Sequence, residues 1–431
     1  MQDSAQDRKS VFSNETLVPI MPELIEQTGL STGFLADLAL KTVYSGSDCT
    51  SERVAENLKL PLGISENLMQ HLYREKYIDI RERSGVQRNR YAMLDRGWDR
   101  VQRLLSLSGY IGPSPITLDD YTAGMRWMNV HAEKVEPENI SGAYSHLVLS
   151  DQQLRILGLI VESRRSLFLT GPPGSGKTSA AVALHDALKG EIWIPYAIEI
   201  DGQVIRVFDP HIHHPVSPPE GRYDKRWIKI KRPMVIVGGE LTLESMDLIY
   251  AGNLNYYEAP FQVKANGGLL VIDDFGRQRV EPHDLLNRWI IPLENRVDYL
   301  TLHTGKKIEV PFELLLVFAT NLNIKDFVDQ AFLRRMGYRL GFTTPSADVY
   351  SLIFQRYLAY RELDYDSSFL YRLFARYEHE KREMKACEPR DLVERCLDIC
   401  RYENLPRRIT VDILDRAWNY YFGLENQRID A

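Results

Sequence analysis

The sequence predicts an α/β fold: a parallel sheet flanked by helices, preceded by a module of three helices and a β-hairpin and followed by a helical segment. Three observations carry that expectation. Gly171-Pro-Pro-Gly-Ser-Gly-Lys-Thr178 fits the pattern G-x-x-x-x-G-K-[ST] between an apolar strand, Ser166 to Thr170, and a helix, Ala180 to Leu188. Asn266-Gly-Gly-Leu-Leu-Val-Ile-Asp-Asp274 is an apolar strand that ends in two carboxylates. Residues 30–112 read helix, helix, helix, strand, turn, strand, helix.

The N-terminal elements follow from local patterns. The polar stretch Met1 to Asn14 is expected to fray. Phe34 to Tyr44 is a helix; Thr50 or Ser51 caps a second that runs to Leu58. Ile64, Leu68 and Leu72 mark the buried face of a third. Ile78 to Ile80 and Tyr91 to Leu94 are short strands around a polar turn, Arg81 to Arg90, and a helix from Asp95 to Leu107 closes the module near Gly109. This order resembles a winged helix-turn-helix throughout. From His71 to Arg103 there are nine Arg or Lys against five Asp or Glu, with Arg81, Arg83, Arg88 and Arg90 crowding the wing. Two readings stay open: duplex DNA, with the third helix in the major groove and the wing on phosphates, or a protein-binding or spacer module whose arginines are solvated. Gly112-Pro-Ser-Pro115 marks a boundary, and Leu118 to Met128 is a linker helix.

The middle of the chain carries the chemistry. Glycines at 171, 174 and 176 let backbone N–H groups close on phosphate oxygens without a Cβ in the way, and the helix that follows adds partial positive charge. Pro172, Pro173 and Ser175 complete the loop. Lys177 reaches β- and γ-phosphates, and the Thr178 hydroxyl is a ligand for Mg²⁺. About 95 residues on, Asp273 is placed to hold Mg²⁺ and Asp274 to orient and deprotonate the attacking water. ATP and Mg²⁺ are therefore the expected ligands. A third apolar strand, Leu314 to Asn321, ends in an amide suited to the lytic water or the γ-phosphate. Asp329 to Arg335 is a helix ending in Arg334 and Arg335, and a guanidinium matches a γ-phosphate bidentately. Glu388-Pro-Arg-Asp-Leu392 opens a further helix bearing Arg390.

Taken together, residues 140 to 425 resemble the AAA+ ATPases. The resemblance implies Walker A at Gly171–Thr178, Walker B at Leu269–Asp274, sensor 1 at Asn321, an arginine finger at Arg334 or Arg335, and sensor 2 at Arg390. It also implies a homo-oligomer, a hexameric ring by preference. The stretch from Tyr257 to Arg335 looks closest to MoxR-type ATPases and bacterial enhancer-binding proteins. A helix at Glu281 to Asn295, with Leu286, Trp289, Ile290 and Leu293 on one face, precedes a hairpin of Tyr299–His303 and Lys307–Pro311 turning at Thr304-Gly305. That hairpin resembles the pre-sensor-1 hairpin. Two features depart from these families. Walker B reads Asp273-Asp274 where Asp-Glu is usual, so the second acid is one methylene shorter. No GAFTGA run occurs, which disfavours sigma-factor remodelling. The expected role is a MoxR-like chaperone acting on a protein partner; the alternative is a DNA-binding regulator of transcription, replication or transposition.

The resulting division is a flexible segment (1–29), a winged helix-turn-helix (30–112), a linker (113–139), an α/β ATPase core (140–344) and a helical lid (345–431). The 431 residues are 44% hydrophobic and 26% charged, ordinary for a soluble globular protein. A formal net charge of −6 argues against bulk affinity for nucleic acid. No apolar run spans a bilayer and no signal peptide is recognisable, so a cytoplasmic protein without membrane contact is expected. Cys49, Cys387, Cys396 and Cys400 lack metal-site spacing and are read as buried thiols. Asp209-Pro-His-Ile-His-His-Pro215 is read first as an inert loop, with substrate contact or a metal as alternatives. Tyr256 and Tyr257 face either a central pore or a core.

Overall fold

A computed structural model describes residues 11–15, 17–46, 49–84, 88–252, 255–323 and 330–426. The N-terminal module is α1 (Thr32–Ser45), α2 (Ser51–Leu58), α3 (Leu62–Arg74), the antiparallel hairpin β1 (Ile78–Ser84) and β2 (Arg88–Met93), and α4 (Asp95–Leu107). Ser31 and Thr50 cap α1 and α2 by accepting hydrogen bonds from the N–H groups of Phe34 and Arg53. Ile64, Leu68 and Leu72 are buried on α3, as their spacing requires. The hairpin is longer than its composition suggested. Pairing continues through Arg81–Ser84 and Arg88–Arg90, with a register shift between Ile80 and Glu82. Charged side chains do not stop a strand that needs no second buried face.

The next segment is not a loose linker. β3 (Ile116–Thr117) leads into α5 (Leu118–Val130), α6 (Pro137–Ala143) and α7 (Asp151–Ser163). The strand β4 (Leu167–Thr170) and α8 (Lys177–Ala187) flank the glycine-rich loop. After β5 (Glu191–Pro195) come β6 (Ala197–Ile200), β7 (Gln203–Arg206), β8 (Trp227–Lys231), β9 (Met234–Val237), β10 (Ile249–Ala251) and β11 (Tyr256–Glu258). α9 (Phe261–Lys264) precedes β12 (Leu269–Ile272), and α10 (Pro282–Asn295) precedes the hairpin β13 (Val297–Thr301) and β14 (Lys307–Pro311). β15 (Leu315–Thr320), α11 (Gln330–Arg335) and β16 (Tyr338–Gly341) complete the core.

Its sheet has the order β16-β4-β15-β12-β9, every pair parallel. Both faces are covered, so the strands are apolar without interruption. Leu167, Leu169, Leu269, Val271, Leu315 and Val317 pack on one side with α7 and α8. Phe168, Leu270, Ile272, Leu316 and Phe318 pack on the other with Leu285, Leu286 and Trp289 of α10. The period of two is thus present in three dimensions though invisible as polarity. This is the α/β phosphate-loop architecture that the AAA+ resemblance implies. Behind it lie α12 (Ala347–Tyr360), α13 (Ser367–His379), α14 (Glu388–Tyr402) and α15 (Val411–Asn426), a helical subdomain with its own core around Tyr350, Leu392, Cys396 and Trp418.

A second sheet, β10-β11-β7-β6-β3, joins the core's insertion to the segment after the N-terminal module. Tyr256 packs edge-on against Tyr110 at a centroid distance of 5.7 Å, and Ala197 and Val204 belong to the module's core. Tyr256 and Tyr257 are therefore buried, and the pore reading of these aromatics is corrected: they close an apolar seam. Arg226 and Asp224, both buried, lie 2.8 Å apart, and the guanidinium also donates to the carbonyls of Thr28 and Pro115. Among the described residues, no helix is long and apolar enough to cross a membrane.

Candidate functional site

The chain reverses between β4 and α8 through backbone that only glycine takes easily. Gly171, Gly174 and Gly176 have φ of 145°, 73° and 95°. A Cβ on Gly171 would sit 2.3 Å from the carbonyl oxygen of Phe342. Lys177 and Thr178 open α8, so their N–H groups are at its unsatisfied end. Lys177 is buried, and its Nζ donates to the carbonyls of Gly171 and Pro172, each at 2.9 Å. Burial lowers its pKa, while the carboxylates of Asp273 and Asp274 pull it back up.

Sheet order brings the acids to the loop. Ile272 pairs with Phe318, and Thr320 pairs with Thr170, so β15 lies between the loop strand and the strand ending in Asp273. The Thr178 hydroxyl donates to Asp273 Oδ2 at 2.9 Å across 95 residues of sequence. Asn321 follows directly after β15, one position beyond the Thr170–Thr320 pair. Its Oδ1 is buried with no hydrogen-bond partner among the described residues, as is Ser175 Oγ in the loop. These two orphaned polar atoms, one in the glycine loop and one just past β15, mark places built for further polar company. The Thr178 hydroxyl and the Asp273 carboxylate form a hard oxygen donor pair of the kind Mg²⁺ takes. Asp274 is exposed, and its backbone is left-handed at φ 48°.

The helical subdomain reaches the same loop. The Cys387 N–H donates to the Gly174 carbonyl at 3.0 Å, and a Cβ on Gly174 would meet Cys387 Sγ at 2.6 Å. Arg390 lies three residues further, in the first turn of α14, paired with Asp391 at 2.9 Å. Glu388, buried beside it, accepts from Tyr377 and from the Lys385 N–H. Arg335 is tied to Glu294 of α10 at 2.5 Å, whereas Arg334 is exposed. Sequence reasoning missed the Cys387–Gly174 contact and the hydrogen bonds of Gln278 to the backbone of Asp273, Asp274 and Gly276; neither Cys387 nor Gln278 sits in a motif, and no periodicity points to them.

Within the histidine loop, His213 braces the fold, while His211 and His214 are exposed. His213 is fully buried; its Nδ1 accepts from the Asp209 N–H at 2.9 Å and its Nε2 bonds the Lys264 carbonyl at 2.8 Å. Both ring nitrogens are thereby occupied. No group of His, Cys, Asp or Glu suited to a metal is found among the described residues. The four cysteines are free thiols, three buried and Cys387 half-buried.

A family model described as "Domain of unknown function (DUF8689)" matches residues 346–420, the helical subdomain. No curated protein matches the chain. Among solved structures, the Thermotoga maritima RuvB Holliday junction branch migration motor is 15% identical over 66% of this chain and 72% of its own, with a TM-score of 0.39. NtrX from Brucella abortus, in complex with ATP, is 15% identical over 71% of this chain and 63% of its own, with a TM-score of 0.41. The chain is similar to both at that level, and its fold is described by its own strand order.

Proposed function

We propose that this chain is an AAA+-type ATPase that couples Mg²⁺-ATP hydrolysis to remodelling of a macromolecular partner. The observation that carries the reading is the Thr178–Asp273 hydrogen bond at 2.9 Å, made at the mouth of the glycine loop beside the orphaned Asn321 amide. In this reading the loop N–H groups of residues 174–178 bind the phosphates, and Lys177 leaves the loop carbonyls for the β- and γ-phosphate oxygens. Thr178 and Asp273 would hold Mg²⁺, which would supply charge neutralisation for the phosphates. Asp274 accepts the proton of the attacking water, and Asn321 orients that water. Arg390 reaches the nucleotide from the helical subdomain, which acts as a lid, and Arg334 serves the site of a neighbouring subunit in a ring.

The α10, hairpin, β15 succession supports a MoxR-like role on a protein partner. The N-terminal module, read as a winged helix, supplies the partner-binding surface. The divisions 30–112, 140–344 and 345–431 are retained as a working scheme. The described residues among 11–29, expected to be flexible, instead dock through Phe12 on Trp127 and Trp227 and through the Thr28 carbonyl on Arg226, and Ile116–Thr117 adds a strand to the second sheet.

The test is a set of single substitutions. Lys177→Ala is expected to abolish both fluorescent-ATP binding and turnover, and Asp273→Asn to abolish turnover. Asp274→Asn and Asn321→Ala should bind nucleotide normally while kcat drops by roughly a hundredfold. Turnover at the wild-type rate in Lys177→Ala would sink the assignment.

A further inference from the structure

We propose that Gln278 is a positioning residue that aims the Asp274 carboxylate; the inference rests on the ATPase reading above and deepens it. Asp274 lacks the methylene that a glutamate would offer, so its backbone must bring the carboxylate to the water. The chain does this with a turn. Asp274 has φ of 48°, a left-handed conformation that is uncommon for a non-glycine residue, though aspartate takes it more readily than most.

Gln278 imposes it from one side. Its Nε2 donates to the carbonyls of Asp273 and Asp274 at 2.9 and 3.2 Å, and its Oε1 accepts from the Gly276 N–H at 2.7 Å. Two carbonyls and one N–H fix which end of the amide is which, and no other side chain of that length both donates and accepts in this way. The other side is held by β15. The Phe275 N–H donates to the Ala319 carbonyl at 2.8 Å, and the Thr320 hydroxyl donates to the Phe275 carbonyl at 2.6 Å. The Arg277 N–H closes the turn on the Asp274 carbonyl at 3.0 Å. The backbone of the acid is thus clamped between a glutamine on its own loop and the strand that delivers Asn321, while its carboxylate stays exposed on the side of Lys177. The network therefore fixes the backbone of Asp274 and joins it to Thr320, the residue before Asn321.

The experiment measures kcat, KM and nucleotide Kd for the full chain. Gln278→Ala and the isosteric Gln278→Glu are expected to lose at least tenfold in kcat while nucleotide Kd changes less than twofold. Glutamate accepts from Gly276 but donates to neither carbonyl. The deciding variant is Gln278→Ala combined with Asp274→Glu: the longer acid reaches the water without the imposed turn, so kcat should recover at least threefold over Gln278→Ala alone. A loop that merely stabilised the fold would give no such rescue. Wild-type kcat in both Gln278 variants, or a loss that Asp274→Glu leaves unchanged, overturns the proposal. If the wild-type chain itself shows no ATP turnover, the ATPase reading fails and the inference with it; wild-type turnover that persists at the full rate in both Gln278 variants defeats the inference alone.

Discussion

His213 shows how a residue suited to chemistry is used for support. Its ring is neutral in the fold, because Nδ1 must accept from Asp209 while Nε2–H donates to Lys264. Burial lowers its pKa below the usual 6.5; the hydrogen bond to the Lys264 carbonyl and the Asp209 carboxylate oppose it, while the Lys264 ammonium and His214 add to the lowering. The sign follows from linkage. Below pH 6.5 the unfolded chain takes up a proton that the folded ring refuses, so stability falls as pH drops from 6.5 toward the folded pKa. The slope this residue contributes is at most about 1.4 kcal/mol per pH unit. His213→Gln should keep part of the bracing yet flatten the fall between pH 6.5 and 5.5, measured by urea unfolding. Equal slopes in the two proteins would mean that another group titrates there. At this scale the placement of the glycine loop and of Asp273, Asp274 and Asn321 at strand ends was legible, because apolar runs ending in polar side chains mark strand ends in sequence. The hydrogen bonds of Gln278 were not, because their partners are three backbone groups that the sequence does not display.

At the scale of elements, strand order converts separate motifs into a site. β4 and β12, each paired with β15 and not with one another, bring Thr178 against Asp273, and β15 between them carries Asn321. The apolar strands were readable as runs, and helix α10 by its spacing of Leu286 and Trp289. The hairpin β1–β2 was read too short, since charge alone was taken for a turn. The six-residue α11 separates its two arginines by one bond. Arg335 is held by Glu294, and Arg334 points to solvent exposure. Sequence gives them equal standing; packing does not. Arg334→Ala should lower kcat by about a thousandfold in assembled protein, the scale at which a trans-acting guanidinium contributes. Arg335→Ala should cost under about 1 kcal/mol of stability and little activity, since its partner is half-exposed. Mixing Arg334→Ala with Lys177→Ala subunits should restore some turnover at mixed interfaces. Equal losses from Arg334→Ala and Arg335→Ala, or no restoration on mixing, would show that Arg334 is not the group supplied in trans.

Across the whole molecule, the N-terminal module is built into the α/β core rather than tethered to it. Tyr256, Ala197 and Val204 complete its apolar cluster, and Arg226 binds the carbonyls of Thr28 and Pro115 from inside the core's insertion. Contacts so distant in sequence leave no local signal, which is why residues 113–139 read as a linker. The same docking decides how the module must be tested, because a fragment ending near residue 112 would lack part of its core. Between α3 and the hairpin lies a groove of about 270 Å³ lined by Glu52, Glu66, Gln70, Tyr73, Asn89 and Tyr91. Glu66 is exposed on α3, on the face that would have to enter a major groove. Arg100 is engaged by Asp37 at 2.8 Å and Arg96 by Glu75 at 3.8 Å, so part of the positive charge is spent within the module. The side chains of Arg83 and Arg88 lie outside the described residues. These carboxylates, with a net charge of −6, favour a protein partner over duplex DNA. The full chain at low micromolar concentration and 50 mM salt is therefore expected to give no shift of a duplex in a gel. Phosphate-driven binding would appear as a shift whose affinity falls by about a thousandfold or more between 50 and 200 mM salt. Such a shift, lost when Arg81, Arg83, Arg88 and Arg90 are replaced together by Ala while ATP turnover persists, would assign the module to DNA instead.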